Sequence, residues 1–162
     1  MFTGFEGPPL GPGPVNIRDI RSLRREGMGC IYKASVASIL IIDDNEIFRE
    51  MLGKMLEATG HTVVSAPDGF EGTQLYRASP VDLIMTDMVM PHSGLSAIRV
   101  LRSEFPTLKV IAMSGGSRLL GYAKDVGAYR TLMKPFTPEQ LSAAIEETLA
   151  YEPPPAPKVP KR

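Results

Sequence analysis

Apolar and polar positions follow two alternating rhythms from Ala37 to Ala150. Ser38–Ile42 (SILII) is a continuous apolar run of strand length that ends at Asp43-Asp44. Ile47, Met51, Leu52, Met55 and Leu56 then recur with helical period up to a stop at Gly60. Thr62–Ala66 predicts a second strand and Gly69–Ala78 a second helix. Val81–Asp87 (VDLIMTD) reads as a buried strand, and Leu95, Ile98 and Leu101 mark a helix over roughly Ser93–Phe105. Leu108–Met113 is a fourth strand, followed by Ser114-Gly115-Gly116 and a helix near Leu119–Val126. A short fifth strand, Tyr129–Met133, runs into Lys134-Pro135. The last helix takes Thr137 as its cap, Pro138 at its first position and Gln140 three after the cap, with Leu141, Ala144, Ile145 and Leu149 as its apolar face.

Five strand–helix repeats with nearly continuous apolar strands require a parallel sheet covered on both faces. With right-handed crossovers the fold class is α/β: a doubly wound five-stranded parallel sheet over residues 37–150. Met51, Met55, Met85, Met113 and Met133 are expected to fill gaps in its core. In such sheets the functional crevice lies outside the carboxyl ends of the strands.

Beyond this segment the composition changes. Nine of the 15 prolines lie in Met1–Pro14 and Pro153–Arg162. Residues 1–36 are therefore read as a flexible Gly/Pro-rich, basic extension and 151–162 as a Pro-rich basic tail. Within the extension, Ile17–Glu26 (IRDIRSLRRE) is too short to stand alone as a helix and is expected to be solvated. The 18 basic and 18 acidic residues cancel, although residues 37–150 carry ten basic against fourteen acidic groups. No global field draws the chain to nucleic acid or to an anionic membrane, and neither a helix–turn–helix nor a Walker-type phosphate loop is present. Cys30, the single cysteine, excludes an internal disulfide and a multi-cysteine zinc site. The two histidines, His61 and His92, are too few for a His-rich metal site, and His92 is read as a surface-loop residue. No apolar run approaches the ~20 residues that cross a bilayer, and no basic start followed by an apolar stretch is seen. A soluble, cytoplasmic protein without stable membrane insertion is expected.

The strand ends carry compatible chemistry. The first ends in Asp43-Asp44, the third in Asp87, the fourth in Ser114 and the fifth in Lys134-Pro135. Three clustered carboxylates repel one another unless a cation sits among them. All-oxygen ligation without histidine or cysteine selects a hard ion such as Mg2+, which commonly bridges carboxylate and phosphate. One carboxylate can then act as nucleophile toward phosphorus, Lys134 can pair with a phosphoryl oxygen, and Ser114 can donate a hydrogen bond to another. Gly115 and Gly116 leave space for the group.

With these residues the segment resembles the receiver domain of two-component response regulators. The matching residues are the pair Asp43-Asp44, Asp87 within MTDMVMPHSG, Ser114, and Lys134-Pro135-Phe136. The resemblance covers 37–150 and implies the flavodoxin-like receiver fold with a cis Lys134–Pro135 bond. It implies that Asp87 accepts a phosphoryl group from a sensor histidine kinase or a histidine phosphotransfer protein. Asp43, Asp44, Asp87 and the Val89 carbonyl would organise Mg2+, while Ser114 and Lys134 would hold phosphoryl oxygens. One position departs from the family's pattern: three residues before the lysine, where an aromatic switch residue is usual, stands Thr131. Tyr129 lies two positions away and shares a strand face with Thr131.

The expected activity is that of a stand-alone response regulator, a phosphorylation-controlled binding module and not an enzyme. Residues 151–162 cannot fold into an effector, so output is expected through contact with a downstream effector protein, by the fourth helix, fifth strand and fifth helix. A homodimer is left open. Three alternatives stand beside it: a phosphorelay intermediate, a phosphate-independent scaffold, and an aspartyl-phosphate phosphohydrolase. The last typically needs a second aspartate two residues beyond the nucleophile, where Val89 stands here.

Overall fold

The computed structural model describes residues 36–90 and 94–152. Five strands, β1 (Ser38–Ile42), β2 (Thr62–Ala66), β3 (Leu83–Asp87), β4 (Val110–Ser114) and β5 (Arg130–Met133), alternate with five helices. The helices are α1 (Glu46–Ala58), α2 (Gly69–Ala78), α3 (Gly94–Glu104), α4 (Ser117–Asp125) and α5 (Pro138–Ala150). All strand pairs are parallel, in the order β2-β1-β3-β4-β5. This is the doubly wound, flavodoxin-like sheet that the rhythm of the sequence predicts.

Successive strand residues point to opposite faces, which is why residues 39–42 must be apolar throughout. Ile39 and Ile41 pack with Leu52 and Leu56 of α1 and with Leu141 and Ile145 of α5. Leu40 and Ile42 face the other way, into a core with Tyr76 of α2, Ile98 and Leu101 of α3 and Ala123 of α4. The helices thus divide two to one face and three to the other. An exposed Arg77–Glu104 ion pair joins α2 to α3 beneath the edge-to-face rings of Tyr76 and Phe105.

Helix ends follow their local chemistry. Thr137 and Gln140 form the expected reciprocal capping box at α5. Asn45 caps α1 by accepting the Phe48 N–H, and Asp68 caps α2 by accepting those of Phe70 and Glu71. After α1 the chain reverses through Gly60, whose φ of 92° only glycine adopts readily.

Two expectations about apolar residues need correction. Ile47 is 82% exposed and Met51 half-exposed, so the buried stripe of α1 is Leu52 and Leu56, with Phe48 and Met55 half-buried beside them. Of the five methionines, only Met85 and Met113 are fully buried, because they lie on central strands; Met133 ends the edge strand β5 and is half-exposed. The regions read as Ile17–Glu26, Cys30, His92 and the tail from 153 lie outside the described residues.

At the opposite end of the sheet from the acids, His61 Nδ1 accepts the Ala37 N–H at 3.2 Å, just before β1, and Thr62 N–H returns to the Ala37 carbonyl at 2.9 Å. Burial holds the His61 imidazole below its ordinary value. The unfolded chain therefore binds the proton more readily than the folded one. The stability this contributes is complete above the free-histidine value of about 6.5 and is lost as pH falls through the lower folded value. Thermal melts between pH 7.5 and 5.5 should show the Tm falling with pH, and His61→Gln should flatten that slope.

Candidate functional site

The strand order puts the reversal of the sheet between β1 and β3, because the chain leaves β1 for one face and β3 for the other. Asp43 follows the last residue of β1 and Asp87 is the last residue of β3. A crevice at such a point lies outside the carboxyl ends of the strands, and both carboxylates are buried there.

Each acid is held at both oxygens. Asp43 Oδ1 accepts the Asn45 N–H at 2.9 Å, and its Oδ2 accepts Lys134 Nζ at 2.6 Å. Asp87 Oδ1 accepts the same Nζ at 2.7 Å, and its Oδ2 accepts the Val89 N–H at 2.5 Å. Lys134 therefore bridges the two acids from the end of β5, across β4. Its reach depends on the register of β5, which the Lys134 N–H fixes by donating to the Ser114 carbonyl at 2.9 Å. The Lys134–Pro135 peptide is cis. Ser114 is fully buried at the end of β4, where its Oγ accepts the Gly116 N–H at 3.1 Å and keeps its own hydrogen to donate.

The structure brings Asp43, Asp87 and Lys134 into direct contact, with Ser114 at the next strand end. Asp44 is exposed on the rim, and Val89 is 60% exposed with its amide turned to Asp87. Among the described residues no three acidic, histidine or cysteine side chains converge as a finished metal cluster. The buried charge nevertheless fits a hard cation. Two carboxylates share one ammonium, which leaves a net negative charge in a poorly solvated place, and every available donor is oxygen. Tyr129 does not stand in for the missing switch aromatic. Its amide pairs with Val110 at the amino end of β4, four residues and about 13 Å along the strand from Ser114. Its ring stacks on Tyr151 with centroids 4.1 Å apart. Thr131 lies beside Ala112, half-buried.

Several supporting residues escape a reading of strand ends alone. Phe48 places its ring 4.0 Å from Lys134 Nζ, and Phe136 meets that ring edge-on at 6.1 Å. Arg49 Nη1 donates to the Asp43 carbonyl at 2.6 Å. Gly94 opens α3 so close to β3 that a Cβ there would lie 2.0 Å from the Asp87 carbonyl oxygen and 2.7 Å from Thr86 Oγ1. The sequence signals were the Asp-Asp-Asn run before an apolar helix start, which makes Asn45 a cap, and a glycine at the head of α3.

Two stability effects follow. Gly94→Ala should cost about 1–3 kcal/mol through overpacking against the Asp87 backbone, read as a lowered Tm. Lys134→Met should lie near the lower end of the ~3–5 kcal/mol seen when a buried ion pair loses one partner, since the lysine side chain is 23% exposed. Asp87→Asn should cost much less at neutral pH, because Asp43 keeps Lys134 to itself; denaturant melts of the three variants give the order.

Comparison with known proteins agrees with this fold. A family model described as the response regulator receiver domain matches residues 39–146. The DNA-binding transcriptional regulator NtrC of Azospirillum brasilense is 34% identical over 125 residues, 75% of this chain and 26% of that protein. The response regulator MprA of Mycobacterium ulcerans is 34% identical over 116 residues, 68% of this chain and 49% of that protein. The chain thus matches half or less of the length of these curated relatives. Among solved structures, a response regulator receiver domain protein from Clostridium thermocellum superposes with a TM-score of 0.66 at 31% identity, covering 70% of this chain and 94% of that one. The chemotaxis protein CheY4 of Vibrio cholerae does so with a TM-score of 0.65 at 27% identity, covering 70% of this chain and 99% of that one. A doubly wound sheet with two buried acids bridged by a lysine across its switch point, matched by this family model over two-thirds of its length, places the chain in the response regulator receiver domain family of two-component systems.

Proposed function

We propose that residues 37–150 work as a phosphorylation-controlled receiver in which Asp87 takes a phosphoryl group from the phosphohistidine of a sensor kinase or of a histidine phosphotransfer protein. The observation that carries this reading is the bridged pair: Asp87 is buried at the carboxyl end of β3, and one ammonium is shared with Asp43. A carboxylate oxygen of Asp87 bonds to phosphorus while the phosphorus–nitrogen bond breaks. The imidazole leaves with the electron pair and takes up a proton. Nothing but positioning and charge compensation is required of the other groups.

Asp43, Asp44, Asp87 and the carbonyl of Val89 would hold Mg2+. When bound, the ion supplies positive charge against the phosphoryl oxygens. Lys134 already sits on Asp87 Oδ1 and needs only a short movement to meet a phosphoryl oxygen. The Ser114 hydroxyl donates to a second oxygen. Space for the group is available beyond Gly115, where a Cβ would meet nothing within 4 Å.

Output is proposed to pass through protein contact at α4, β5 and α5, where Tyr122 of α4 and Met133 of β5 are half-exposed. The DNA binding named for the Azospirillum relative is a property of that longer protein. One observation favours a second reading, a phosphate-independent scaffold. With Thr131 in the switch position and Tyr129 stacked on Tyr151 at the far end of β5, no aromatic among the described residues of β5 stands ready to follow Ser114.

Incubation with a small acyl phosphate and Mg2+ tests the choice. The protein should gain the mass of one phosphoryl group, Asp87→Ala should abolish the gain, and Lys134→Ala should reduce it at least tenfold. No gain, or one indifferent to Asp87, favours the scaffold.

A further inference from the structure

The two acids occupy only part of the Lys134 ammonium. Its two short hydrogen bonds, to Asp43 Oδ2 and Asp87 Oδ1, leave a third side, and the face of Phe48 lies there with its centroid 4.0 Å from Nζ. An ammonium at that distance over an aromatic face is attracted by the ring's negative centre, more strongly where water is thin. Here the acids are buried and the lysine is mostly so.

Phe48 is held at its backbone by Asn45 and at its ring by Phe136. Asn45 Oδ1 accepts the Phe48 N–H at 3.0 Å and so sets the first turn of α1. Asn45 is in turn tied by its own amide to Asp43 Oδ1. Phe136, two residues after Lys134, meets the Phe48 ring at 80°. Asp43, Asn45, Phe48 and Lys134 therefore close a circuit of contacts that begins and ends on the same carboxylate.

We infer that Phe48 is a positioning residue for the receiver reaction, its ring face holding the Lys134 ammonium on the line between Asp43 and Asp87. The inference rests on the phosphoryl-transfer reading of Asp87 proposed above. A lysine side chain carries about 2 kcal/mol of rotamer entropy, and without the ring the ammonium gains a solvated arc away from the acids. Leucine would fill comparable apolar space but offers no quadrupole. Tyrosine keeps the face, and its hydroxyl extends from the far edge of the ring.

The experiment compares wild type, Phe48→Leu and Phe48→Tyr, each with a melt to show that it is folded. In proton NMR spectra of the metal-free proteins, the Lys134 ε-methylene protons should be displaced upfield by the ring in wild type, return to ordinary values in Phe48→Leu, and move upfield again in Phe48→Tyr. The rate of phosphoryl uptake from a small acyl phosphate with Mg2+ should fall by about threefold to tenfold in Phe48→Leu, the size expected of a partly desolvated cation–π contact. Phe48→Tyr should restore it. Uptake by folded Phe48→Leu at the wild-type rate would overturn the positioning role, as would an unshifted Lys134 in wild type. A rate lost in Phe48→Leu and not restored by Phe48→Tyr would also overturn it, reducing Phe48 to packing. Failure of wild type itself to take up phosphoryl would overturn the Asp87 reading instead, and the Lys134 shifts would then decide the contact alone.

Discussion

One ammonium held between two buried carboxylates is the constraint on which the remaining geometry depends. Asp43 and Asp87 arrive on neighbouring strands, β1 and β3, and repel each other in a place where water screens poorly. Lys134 comes from β5, on the far side of β4, to compensate them. Three strand ends must therefore be level. The ladder provides this: Met88 N–H donates to the Met113 carbonyl and Lys134 N–H to that of Ser114, each at 2.9 Å. Slipping one strand by a residue would turn its acid or its lysine to the opposite face.

The two cores are what make such levelling possible. Side chains of β1 alternate between the α1/α5 layer and the α2–α4 layer, so neither face tolerates a shift in register. Gly94 completes the arrangement by letting α3 start almost in contact with the Asp87 carbonyl, which gives the acid's own backbone no freedom to move toward that side. Compensation remains incomplete, since one positive charge answers two negative ones. A site left short of positive charge is suited to a further cation.

Much of this was legible in the residues. Continuous apolar strands separated by helical periods specify a parallel doubly wound sheet, and the carboxyl-end rule then selects Asp43, Asp44, Asp87, Ser114 and Lys134 without any knowledge of contacts, although Asp44 lies exposed on the rim. What periodicity cannot supply is the neighbour that covers a residue. Ile47 and Met51 share a helical rhythm with Leu52 and Leu56, yet no element among the described residues lies over them. Phe48 carries no sequence signal of its own, because its meaning depends on Lys134, 86 positions later in the chain. Tyr129 shares a strand face with Thr131, but its amide donates to the Val110 carbonyl at the amino end of β4, away from Ser114.

The stack of Tyr129 on Tyr151 has a consequence for how the domain is wired. It joins the start of β5 to the end of α5, and Lys109 reinforces the joint by donating from Nζ to the Leu149 carbonyl at 2.5 Å. The chain thus leaves α5 at the amino ends of the strands, a full strand length of about 16 Å from the rim that holds Asp87. β5 and α5 both run between that rim and the opposite end of the sheet, and the tyrosine pair joins them there. The domain is in this respect two-ended, with its charged groups at one pole and an aromatic joint at the other.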